Sequence, residues 1–175
     1  TSYKEAESIC ENTRPDIIVH LSDEFGTRAK YDNLSKYCKL MLRQHYHPNY
    51  VPRDNILVIP LGYMQGMFEG KPSTRFRPNM TRKYVWAFVG NLHNKDRLNM
   101  KRTMTDLTPH FIGKAYKTDM RDIYSQSIFV PNCRGHVVHA CFRLYEASAC
   151  GAIPVLVGDK KELDSYFGNS KNPTG

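Results

Sequence analysis

Short apolar runs, each closed by glycine, proline or a polar cluster, recur along this chain. Pro15-Asp16 introduces Ile17-Ile18-Val19-His20-Leu21, which reads as a buried parallel strand ended by Ser22-Asp23-Glu24-Phe25-Gly26. Leu34, Tyr37, Cys38, Met41, Leu42 and Tyr46 form a helical stripe with Lys36, Lys39 and Arg43 outside it. The pattern predicts a helix over 33–46 that His47-Pro48 ends. Asn55 to Gly62 reads as a second buried strand, so residues 15–62 form a strand-helix-strand unit, right-handed by the usual rule. Residues 1–14 are polar with little periodicity and predict no element.

From Gly66 to Lys83 the chain turns polar and basic, with Gly70, Pro72 and Pro78 interrupting it, and reads as a linker. Tyr84-Val85-Trp86-Ala87-Phe88-Val89 restarts the apolar pattern as a strand, followed by a polar loop over 91–97 and a helix around 97–107. His110 to Gly113 predicts a short strand and Asp119 to Gln126 a short helix. Two apolar runs, Ile128 to Val130 and Ile153 to Val157, flank a helical segment around Phe142 to Ala147, which together make a βαβ unit. Asp159 begins another helix, and 169–175 reads as loop. Two α/β units on either side of a basic linker result: 1–70, a linker at 71–83, and 84–175.

Ligands in such sheets gather at the carboxyl ends of strands, and the candidate chemistry lies there. On the central helix Arg143 and Glu146 are three residues apart and share a face. The simplest account is an exposed helical ion pair; on a nucleotide-facing helix the same pair would clasp diphosphate and accept from ribose hydroxyls. Gly90-Asn91 directly follows a buried strand, where glycine lets backbone approach phosphate, and Arg97 follows in the next turn. The alternative is an ordinary solvated loop, and Lys95 and Lys101 read as solvated. The loop containing Asn132, Arg134, Gly135 and His136 precedes the Arg143 helix, where free amides favour an anion; the alternative is a mobile surface loop in which Gly135 alone is a backbone requirement. His20, Asp23 and Glu24 sit at the tip of the first strand, with Asp23 or Glu24 the candidate base; the simpler accounts are turn formation or capping for Asp23 and a satisfied core histidine for His20.

Composition narrows the classes. At 175 residues and 41 % apolar content the chain is long enough for a packed core. Lys and Arg total 25 against 17 acidic residues, a net charge of +8 that favours an anionic partner. The basic residues are scattered, without the aromatic-basic pattern of nucleic-acid binders. Five cysteines include no Cys-x-x-Cys pair, and there is no Asp-x-Asp or recognised histidine set, so no metal site is expected. Asn33-Leu34-Ser35 and Asn79-Met80-Thr81 match the N-glycosylation pattern. No stretch approaches the length of a membrane span, so a soluble chain is expected.

The run from Tyr124 through Pro131, Gly135, Arg143 and Glu146 to Gly151-Ala152-Ile153-Pro154-Val155 resembles the nucleotide-sugar-binding segment of exostosin-like glycosyltransferases (glycosyltransferase family 47). His20-Leu21-Ser22-Asp23-Glu24, Ile59-Pro60-Leu61-Gly62-Tyr63 and Phe88-Val89-Gly90-Asn91 with Arg97 also resemble segments of that family. The resemblance implies a Rossmann-like GT-B fold: a donor-binding domain plus part of the N-terminal, acceptor-side domain of a longer protein. It implies transfer of a sugar from a nucleoside diphosphate sugar, UDP-sugar first, to a glycan or glycoprotein acceptor, with inversion. Glu146 would hold ribose and Arg143 and Arg97 the diphosphate, with no metal or other cofactor required. A eukaryotic secretory enzyme of this kind would work in the Golgi lumen, with any membrane attachment supplied by a segment outside this chain. The alternatives are a non-catalytic nucleotide-sugar or glycan-binding module of the same fold, a retaining GT-B enzyme, and, from charge alone, a nucleic-acid-binding domain.

Overall fold

The computed structural model describes residues 2–21, 23–45, 53–59, 61–68, 81–135, 139, 141–158 and 160. Ser22, the predicted helix stop at His47-Pro48, the linker core over 71–80, the sequon asparagine Asn79, His136, and all but one residue of the helix predicted from Asp159 lie outside them, as does 169–175. The described residues form two compact units, one within Thr1–Pro60 and one starting at Leu61.

Residues 1–14, which predicted no element, carry helix α1 (Tyr3–Thr13). The Ser2 hydroxyl accepts from the Glu5 amide and the Glu5 carboxylate from the Ser2 amide, each at 3.3 Å. Such a reciprocal capping box contributes about 1 kcal/mol. The predicted helix over 33–46 is also absent: a 3₁₀ helix (Ala29–Tyr37) is followed by strand β2 (Leu40–Gln44). Leu34, Tyr37 and Met41 fit helical spacing, but Leu40-Met41-Leu42 equally fits a strand with neighbours on both sides. Tertiary pairing decides between them. β2 lies between β1 (Ile17–His20) and β3 (Ile56–Ile59), all parallel, with Val19, Leu42 and Leu57 in register.

The strand period reverses the expected placement of Arg43. Instead of lying outside an apolar stripe it is fully buried, pairing with Asp23 at 3.1 Å and with Asp32, while its Nε donates to the His45 carbonyl at 3.2 Å. β1 differs from expectation too, because Ile17 and Val19 are 55 % and 53 % exposed. Consecutive strands joined by crossovers of one hand place their connections on one face, and the opposite face stays uncovered among the described residues.

His20 stacks on Tyr31 with ring centroids 5.3 Å apart, and neither ring nitrogen has a hydrogen-bond partner. It is therefore not the satisfied core histidine weighed from sequence. Burial, and then the charge of Arg43, pushes its pKa below 6.5, although Asp23 and Asp32 oppose the shift. The unfolded chain takes up this proton below about pH 6.5, before the folded unit does, so stability is complete above that pH and falls as pH drops through the lowered value. His20→Phe is expected to keep the stack and remove this loss. Its melting temperature should gain on the wild type by roughly 2–4 °C more at pH 5.5 than at pH 7.5; parallel pH profiles would refute the assignment.

The second unit follows the predicted pattern closely. Strand β4 (Tyr84–Val89), helix α2 (Lys95–Met104), strand β5 (His110–Gly113), helix α3 (Lys117–Ser125), strand β6 (Ser127–Cys133), helix α4 (Phe142–Ala149) and strand β7 (Ile153–Val157) build one parallel sheet in the order β5-β4-β6-β7. β6 runs on to Cys133, taking in Asn132, which the sequence placed in the following loop. On one face, Val89 and Val130 pack with Met120 and Tyr124 of α3 and Ala147 of α4; on the other, Trp86, Phe88 and Cys133 pack with Met100 of α2. Met67, fully buried, joins the first of these cores. The described residues thus form an α/β protein with two all-parallel sheets, a pattern compatible with Rossmann-like architecture.

Candidate functional site

The strand order β5-β4-β6-β7 changes direction between β4 and β6. From β4 the chain crosses to β5 on one side, then returns to the other side of β4 for β6 and onward to β7. The crevice beyond the carboxyl ends of two such strands is where open parallel sheets bind ligands. Local sequence helps to open it. β4 pairs with β5 as far as Val89 and Gly113, but its pairing with β6 ends at Trp86 and Phe129. Continuing that register would set Phe88 against Pro131, which has no N–H to donate.

Arg143, in the first turn of α4, occupies this opening. Its Nη2 donates to the Val89 carbonyl at 3.1 Å, its Nη1 lies 3.7 Å from Cys141 Sγ, and its guanidinium carbon stands 4.4 Å from the centre of the Phe88 ring. Its Nε is buried with no acceptor. Gly90 makes room for it. At φ +146 a side chain there is strained, and an added Cβ would meet Arg143 Nη2 at 2.9 Å. Gly90→Ala is therefore expected to cost about 1–3 kcal/mol in urea unfolding. Wild-type stability in that variant would mean that the close approach does not constrain the turn.

Arg97 reaches the same ring from α2, its guanidinium carbon 5.6 Å from the Phe88 centre. It is 7 % exposed and donates to the carbonyls of Asn91 at 2.8 Å and Arg134 at 3.2 Å. It thereby fastens the loop after β4 to the loop after β6, and is not the residue of an ordinary solvated loop. Asn94 reinforces the link. As N-cap of α2 it accepts from the Arg97 amide at 3.0 Å, while its Nδ2 donates to the carbonyls of Arg134 and Gly135, both at 3.2 Å. Arg134 adds an ion pair to Asp96 at 3.3 Å. Asn132 is fully buried; it donates to the His139 carbonyl at 2.9 Å and accepts from the Cys141 thiol at 2.8 Å, a loop tie that uses both ends of its amide. Lys95 and Lys101 are exposed, as expected.

Glu146 lies one turn after Arg143, yet the two make no ion pair. Arg143 turns to Val89 and Phe88, while Glu146, 3 % exposed, accepts from the Met64 amide at 3.2 Å. The exposed helical ion pair weighed from sequence is therefore not what this spacing produces. Burial raises the Glu146 carboxyl above its ordinary value, and the Met64 N–H and the Arg143 charge pull against that shift. Burial also pushes the Cys133 thiol up to about 11 despite Arg143 and Arg97 nearby, so it is a neutral packing group.

Asp23 and Glu24 belong to the first unit. Both Asp23 carboxylate oxygens are engaged, by the Arg28 amide at 3.1 and 3.2 Å and by Arg43 at 3.1 Å, which is the turn-forming role weighed for it from sequence. Glu24 is half-buried. The structure thus gathers Gly90, Asn91, Arg97, Asn132, Gly135 and Arg143 around the ends of β4 and β6, with Glu146 behind them on α4. Sequence reasoning missed Phe88, the ring beneath both guanidinium groups, and Asn94, whose N-cap position before a polar helix was a readable signal.

Among the described residues no group of three His, Cys, Asp or Glu side chains could hold a metal ion, and no helix is long and apolar enough to cross a membrane. In comparison with known proteins, no family model and no curated protein matches the chain.

Proposed function

We propose that this chain contributes the nucleotide-sugar-binding half of a GT-B-fold glycosyltransferase, which moves a sugar from a nucleoside diphosphate sugar to a glycan or glycoprotein acceptor. One observation carries the reading: two arginines converge on the Phe88 ring at the point where strand order reverses. Cations held there neutralise a diphosphate, and stabilising that leaving group is the main electrostatic task of sugar transfer. Arg143 is the direct ligand in this reading, because among the described residues its guanidinium donates to one carbonyl, whereas that of Arg97 is held by two. Arg97 acts mainly by shaping the two loops and adding positive potential. Glu146 accepts from ribose hydroxyls with the carboxylate oxygen that Met64 leaves available.

Titration calorimetry with UDP and GDP tests the reading, with Glu146→Gln as the diagnostic variant. A glutamine keeps an acceptor for the Met64 amide and removes the cost of holding a buried charge. Because the Glu146 pKa is raised, its ionised form opposes folding once pH exceeds that value, so stability at pH 7 should hold or rise. Affinity for the preferred nucleotide should nevertheless fall about tenfold. Full affinity in the variant would remove Glu146 from the site, and nucleotide binding by the wild-type chain without sugar transfer from UDP- or GDP-sugars would favour a non-catalytic module.

A further inference from the structure

The first unit contains a cleft of about 410 Å³, open to solvent, between α1, β1 and the 3₁₀ helix. Its volume falls within the range of small-molecule sites, which are mostly apolar with a few polar groups. The lining follows that pattern. Ala6, Ile9 and Cys10 form the α1 wall, Ile18, Leu34 and Met41 the floor, and Ile9 is 52 % exposed where the wall opens to solvent.

Three polar residues complete it: His20, Tyr31 and Arg28. The His20 and Tyr31 rings lie nearly parallel, 24° apart, and give the cavity an aromatic side. The Arg28 backbone amide is used by Asp23, but among the described residues its exposed guanidinium forms no hydrogen bond or ion pair. An apolar, aromatic-sided space beside an unengaged guanidinium matches one kind of molecule.

We propose that the first unit carries its own ligand pocket, which takes an organic anion with a planar apolar body: an aryl carboxylate, sulfonate or phosphate. The body lies between the α1 wall and the His20–Tyr31 pair, and the anionic group meets Arg28. This pocket is built entirely from first-unit residues and does not depend on the nucleotide reading of the second.

The test is calorimetric titration of the full chain with 2-naphthoate and its neutral isostere 2-naphthalenemethanol. The wild type should bind both at one saturable site. Arg28→Ala should weaken naphthoate about tenfold and leave the alcohol unchanged. Ala6→Leu, which keeps good helix propensity and fills the cavity, should weaken both at least about tenfold. If circular dichroism shows that Ala6→Leu has not folded, Ile9→Lys at the open wall takes its place with the same expected loss of the alcohol. Absence of saturable binding to the folded wild type overturns the proposal, as does binding indifferent to both the charge and the cavity-filling substitution.

Discussion

Arg43→Ala is expected to destabilise the first unit by about 3–5 kcal/mol, a large fraction of the stability of an ordinary domain. Arg43 is fully buried, and Asp23 and Asp32 are 4 % and 7 % exposed. Removing the guanidinium leaves two carboxylates close together in a low-dielectric setting with their shared cation gone. Urea unfolding should show a much lower midpoint. Adding Asp23→Asn and Asp32→Asn to Arg43→Met should recover much of the loss, because it is the uncompensated charge rather than the absent ion pair that is costly. An unchanged midpoint in Arg43→Ala would show that the buried triad does not organise this unit.

Arg143→Ala is expected to weaken UDP binding about 100-fold, equivalent to losing a charge-assisted contact to diphosphate together with its cation–π support. Stability should fall only modestly, since among the described residues Arg143 makes one hydrogen bond to a carbonyl, one long contact to a thiol, the stack on Phe88 and a polar approach to the buried Tyr124 hydroxyl. Arg143→Lys should fall between, because an ammonium keeps the charge but loses the planar fork. Arg97→Ala should behave differently. Its guanidinium joins the Asn91 and Arg134 carbonyls, so a stability loss of about 1–3 kcal/mol should accompany the loss of affinity. Equal affinity in wild type and Arg143→Ala would remove this arginine from any phosphate site.

The second unit was far more legible in the sequence than the first. β5 and β7 have the predicted ends, and β4, α3 and α4 lie close to theirs, because each pairs an apolar run with a nearby turn signal. In the first unit the apolar positions from Leu34 to Leu42 satisfied two periods at once. Only the pairing of β2 with β1 and β3 settled which applied, and the partners lie far off in sequence. Arg43 illustrates the consequence: its acids are 11 and 20 residues away, beyond any helical or strand spacing that would link them. α1 is a different kind of miss. Ser2 and Glu5 stand at capping-box spacing, a local signal present in the sequence but unread.

The candidate site divides in the same way. Gly90, Arg97 and Arg143 were marked by residue type and by position after strands. What joins them was not readable, since Arg143 and the carbonyl it binds are 54 residues apart and Phe88 looked like any strand residue. The shared helical face of Arg143 and Glu146 was correctly inferred from spacing. Spacing could not say that each side chain would find a partner from another element.

The affinity ratio of UDP to uridine, measured by calorimetry on wild type and on Arg143→Ala, tests the diphosphate assignment most directly, because the nucleoside is held constant and only the phosphates differ. The wild type should prefer UDP by about 100-fold, and the variant should reduce that preference to roughly severalfold while binding uridine as before. A preference retained in the variant, or none in the folded wild type, would contradict the placement of a diphosphate between these arginines.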